Sequence, residues 1–87
     1  MYASLVEVYK EPASVQYSLR QIWINPFHVV HFKEDLDLKR AMQEGLLPSD
    51  LNEEQTFTRV YVACGSQFFS ASVVGNPVLV WEKLDGS

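Results

Sequence analysis

Thr56-Phe57-Thr58-Arg59-Val60-Tyr61-Val62-Ala63-Cys64, then Gly65-Ser66, then Gln67 to Val74, is the stretch that decides the fold class. Phe57, Arg59, Tyr61 and Ala63 alternate with Thr58, Val60, Val62 and Cys64. A period of two, rich in β-branched and aromatic residues, is the pattern of a strand with two distinct faces. Gly65-Ser66 is a hairpin-turn signal, so Gln67 to Val74 returns antiparallel to it.

Working outward, residues 2–9 carry the strand formers Tyr2, Leu5, Val6, Val8 and Tyr9, and Pro12 ends that run. In residues 15–24, Tyr17, Leu19, Gln21 and Trp23 take one side, and Ser18, Arg20, Ile22 and Ile24 the other. Asn25-Pro26 marks a turn or bulge, because proline removes a donor and restricts the residue before it. Val29 to Phe32 follows as a short strand. Glu34-Asp35-Leu36-Asp37 predicts a helix start with acids at its positive end. Leu38, Ala41 and Met42 fall at helical spacing, and Gly45 suits the residue just past the end. Asn76 and Pro77 predict the cap and first position of a terminal helix, although the branched run Val78-Leu79-Val80 also fits a strand. The expected architecture is one α+β domain over residues 1–87. It has a small curved antiparallel sheet of four to five strands and one or two short helices, and its helix-containing insert spans 34–55.

Composition narrows the function. Apolar residues make up 47% of the chain, which excludes a disordered polymer. Seven basic residues against eleven acidic ones give a net charge of −4, and Lys39-Arg40 is the one adjacent basic pair. That balance argues against a nucleic-acid binder, whose affinity comes from neutralising phosphates. The single cysteine, Cys64, cannot close an internal disulfide and is expected to be a small buried residue in a reducing compartment. The first residues lack the basic and apolar regions of a signal peptide, and no apolar run reaches membrane-spanning length. A cytoplasmic location is expected.

No chemistry-bearing motif stands out. His28 and His31 are three apart, which in a strand places them on opposite faces. Cys64-Gly65-Ser66-Gln67 lacks the second glycine of a nucleophile elbow. The acids Glu34, Asp35 and Asp37, and then Asp50, Glu53 and Glu54, do not match a calcium loop and are expected to form a solvated face. No catalytic residue, cofactor or metal is therefore expected. The 34–55 insert carries the functional expectation, since a long connection in a small domain is more often functional than idle. Met42, Leu46, Leu47 and Leu51 would anchor a protein partner, with Glu53 and Glu54 selecting a basic one. Replacing Leu46 and Leu47 by Asp would then abolish binding and leave the fold intact. Two alternatives are a nucleic-acid-binding regulator using Arg20, Lys33, Arg59 and the sheet aromatics, and a homo-oligomeric structural subunit paired through strand edges.

Three segments carry a resemblance: Ile24-Asn25-Pro26-Phe27-His28-Val29-Val30, Thr58-Arg59-Val60-Tyr61-Val62, and Gly75-Asn76-Pro77-Val78-Leu79-Val80-Trp81-Glu82-Lys83-Leu84. They resemble the small flagellar FlbD-type (swarming-motility) proteins and related short phage proteins. The resemblance implies a small sheet with a terminal helix and a non-enzymatic regulatory or accessory role in a bacterium or phage. Phe27 stands where that family has an acid, residues 34–55 replace a short hairpin, and Val78-Leu79 replace an acidic first helical turn.

Overall fold

The computed structural model describes residues 2–48, 51–52 and 54–86. Five antiparallel strands form one sheet in the order β2-β1-β5-β4-β3. The strands are β1 (Ala3–Lys10), β2 (Tyr17–Ile24), β3 (Val29–Glu34), β4 (Phe57–Cys64) and β5 (Gln67–Val74). Helix α1 (Leu36–Gln43) lies between β3 and β4, and α2 (Pro77–Asp85) follows β5. The α+β expectation holds, with all five strands and both helices present.

Two hairpin systems meet at the centre. β1 pairs with β2 along its whole length, and β3, β4 and β5 form a meander. The two systems join where Glu7 pairs with Val73 and Val8 with Ser72. The outer strands are therefore β2 and β3, which are consecutive in the chain. They are linked by the corner Asn25–His28, and the sheet is open between them.

Each face of the sheet has its own core. On one face Ala3, Leu5, Ile24, Val60 and Val73 pack under Val80 and Leu84 of α2. Gly75, at φ +118°, turns the chain from β5 into this helix, a conformation costly to any residue with a Cβ. The buried Thr58 hydroxyl donates to the Gly75 carbonyl at 2.8 Å. Asn76 then caps α2 by accepting from the Leu79 amide at 2.8 Å, and Pro77 occupies its first turn. The capping signal wins over the β-branched run because Val80 and Leu84, four apart, share one helical face toward the sheet.

On the opposite face Val8 and Phe57 meet Leu38 and Ala41 of α1 and Leu47 beyond it. Gly45, at φ +77°, closes α1 as expected. The β1–β2 connection, residues 11–16, contains a four-residue turn in which the Ser14 amide donates to the Glu11 carbonyl at 3.1 Å. Ala13 sits at φ +67° there, a position that glycine ordinarily fills.

Asp35 ties the second core to the sheet. It is 5% exposed and so departs from the expected solvated acidic face, whereas Glu34, Asp37 and Glu54 are exposed. Its Oδ1 accepts from the Leu38 amide at 3.1 Å, capping α1. Its Oδ2 accepts from the Ser72 hydroxyl at 2.6 Å and, more distantly, from the Arg59 Nε at 3.4 Å. Its own amide donates to the Phe57 carbonyl at 2.8 Å. Burial pushes the carboxyl's pKa up, but the Ser72 hydroxyl, the Leu38 amide and the Arg59 guanidinium together hold it below the usual carboxylate value.

Two outcomes follow from this packing. Leu47 is 7% exposed within the second core, and Leu46 packs against it. The Leu46→Asp/Leu47→Asp pair is therefore expected to destabilise the domain by about 3–5 kcal/mol in urea melts, contrary to the sequence expectation of an intact fold. Replacing Asp35 by Ala removes the cap and orphans a buried hydroxyl, at a cost of about 2–4 kcal/mol. Because the folded pKa of Asp35 is depressed, its contribution is complete above the unfolded value of about 4 and fades as pH falls through the folded one. Urea midpoints measured from neutral to acid pH should show that loss in the wild type and less of it in Asp35→Asn.

Candidate functional site: an apolar corner

The corner between β2 and β3 is built by Asn25 and Pro26. The Asn25 Oδ1 accepts from the Phe27 amide at 3.0 Å, and Pro26 starts a single 3-10 turn, Pro26–His28. This local chemistry holds Phe27 outward, 89% exposed. A large aromatic at the tip of a turn is unusual, since isolated exposed apolar residues are normal but a clustered set marks a contact surface.

The cluster is real. On one side of the corner an open groove of about 370 Å³ is lined by Phe27, Val30, Phe32 and Trp81. On the other side a groove of about 520 Å³ lies on the part of the α2 face that the helix does not cover, lined by Tyr2, Ile22, Trp23, His28, Val62 and Phe69. Trp23 (62%), Phe69 (56%), Val30 (55%) and Trp81 (54%) keep more than half their surface in solvent. Phe27 and Trp81 in one groove, and Trp23 and Phe69 in the other, are residue types that anchor protein interfaces.

The residues expected to anchor a partner lie elsewhere. Leu47 is buried, and Met42, Leu46 and Leu51 pack against the same core cluster. Their apolar surface is shared with the chain's own sheet. Glu54 is exposed, and Glu53 lies outside the described residues.

The groups considered for chemistry are scattered. Cys64 is exposed, not buried, because it ends β4 at the hairpin tip beyond the reach of α2. It lines the larger groove together with His28, and no hydrogen bond joins the two. His31 stacks on Tyr61 with ring centroids 4.3 Å apart. Among the described residues no group of three His, Cys, Asp or Glu could hold a metal ion, and no helix is long and apolar enough to cross a membrane.

Basic residues separate by face. Lys33 pairs with Arg59 and His31 with Tyr61 across β3 and β4, so these four share one surface. The Lys33 ammonium lies 5.8 Å from the Tyr61 ring centre. Arg20 is on the opposite face, bonded to Glu7 at 2.6 Å and lying over the Tyr9 ring.

No protein-family model matches the chain, and neither the characterised proteins nor the solved structures offer a match.

Sequence reasoning missed the corner because it weighed Asn25-Pro26 only as a turn signal. The findable sign was Phe27 itself, an aromatic directly after a turn-forming pair, where polar residues are usual.

Proposed function

We propose that this protein is a small non-enzymatic regulatory or accessory module that acts by binding another protein through the Asn25–His28 corner. One observation carries the reading: Phe27 is held out on a capped turn with an apolar groove on either side of it. Phe27 and Trp81 serve as the central anchors, and the rim around them supplies apolar area. Cys64 and His28 line the larger groove with no hydrogen bond between them, and the aromatic content of this surface suits desolvated contact. A bacterial or phage setting remains the expectation carried by the resemblance of the Ile24–Val30 segment.

The test is affinity capture with a Phe27→Ser/Trp81→Ser variant. Both side chains are more than half exposed, so stability should change by about 0.5 kcal/mol per site at most. The wild type should retain a stoichiometric protein that the variant loses. Equal retention by both would remove the corner from the interface.

A second reading rests on the surface that brings Lys33, Arg59, His31 and Tyr61 together. Cations beside stackable rings on an uncovered sheet are the ingredients of a single-stranded nucleic-acid platform. In that case a labelled oligonucleotide should bind with an affinity that falls steeply with salt and drops further in Lys33→Glu. Binding that ignores salt, or no binding at low salt, rejects it.

A further inference from the structure

Among the described residues, the outer edge of β2 beyond Tyr17 has no backbone partner. The Tyr17 amide donates to the Leu46 carbonyl at 2.9 Å, so it points away from β1. Amide direction alternates along a strand, and Leu19, Gln21 and Trp23 therefore aim their N–H and C=O groups to that same outer side. Among the described residues these groups have no backbone partner.

Proteins usually blunt such an edge with a charge, a proline or a bulge. β2 has none in use. Its one charge, Arg20, turns back over the sheet to Glu7 and Tyr9, and the Gln21 amide turns back to the Ser4 hydroxyl. The other outer strand is guarded. β3 has an irregularity between Val29 and His31 and carries exposed Lys33 and Glu34.

We infer that the β2 edge pairs with the β2 edge of a second copy of this chain, joining two sheets into one. The available run is Leu19, Gln21 and Trp23, since Leu46 already occupies the Tyr17 amide. A two-fold axis at the centre of that run passes through Gln21. Gln21 then faces its own copy, Leu19 faces Trp23 of the second copy, and Arg20 faces Ile22 of the second copy. No like charges are opposed, because Arg20 faces Ile22 of the second copy and its charge is paired with Glu7 of its own chain. Half-buried Leu19, on the margin of the second core, gains an aromatic neighbour of the kind that stabilises cross-strand pairs. The self-complementary register and the neutral strip favour a second copy over an unrelated strand, in chains that each carry a net charge of −4.

This edge shares Trp23 with the groove beside the corner but excludes the anchors Phe27 and Trp81, so variants at those anchors separate the two readings. Gln21→Pro removes an outward amide that has no backbone partner among the described residues, and proline is tolerated on edge strands. Mass by light scattering should read about twice the 10.0 kDa chain for the wild type and for Phe27→Ser, and the single-chain value for a folded Gln21→Pro. Should Gln21→Pro fail to fold, hydrogen exchange on the wild type decides. The Leu19, Gln21 and Trp23 amides should slow about tenfold or more between micromolar and high-micromolar protein. A wild-type monomer at all concentrations overturns the pairing and leaves the corner reading standing. A dimer that persists in Gln21→Pro, or exchange at these amides that ignores concentration, also overturns it.

Discussion

The buried carboxylate of Asp35 is the interaction on which the arrangement of this protein turns. It accepts from a helix amide, a strand hydroxyl and a guanidinium, and its own amide joins the β4 backbone. A charge in that position would be costly alone, and its hydrogen bonds offset the lost hydration. Ser72 is also the residue opposite Val8 at the junction between the two hairpin systems. The same carboxylate thus orients α1 and holds it over the seam where β1 meets β5. The pairing with Arg59 is longer and partly exposed, so the hydroxyl and amide bonds carry most of the stabilisation.

From that anchor the division of labour follows. α1 and the leucines after it cover one end of one face, and α2 covers part of the other. Two short helices cannot cover five strands. The surface left exposed includes the β2 edge and the two grooves beside the corner, which carry Trp23, Phe27, Phe69 and Trp81. In a chain of 87 residues such surface is large relative to the core, and its aromatic makeup is that of a contact surface.

Much of the fold was legible in the sequence. Period-two alternation placed β2 and β4 and assigned their faces, the Gly65-Ser66 turn placed β5, and Gly45 marked an end that the structure keeps. The cap at Asn76 outweighed the branched residues after it. Faces of helices were harder to read. Leu46, Leu47 and Leu51 look like a docking stripe because nothing in a linear sequence says that Val8, Leu19 and Phe57 lie across from them. Asp35 looked like one acid in a run of acids, since burial depends on Ser72, 37 positions away. Cys64 shares a strand with buried Val60, yet the sheet outruns its helix at that end. The contact surface was hidden for the same reason: Phe27 meets Trp81 in one groove, and Trp23 meets Phe69 in another, only once the sheet and the terminal helix are in place.

Titrating the Asp35 side-chain carboxyl by carbon-13 NMR tests the central claim most directly. A folded-state value below the usual carboxylate range of about 4 is the predicted result, because the hydrogen bonds outweigh burial. A value at or above that range would mean a carboxyl governed by desolvation, and Asp35 would not be the charged anchor that holds α1 to the sheet.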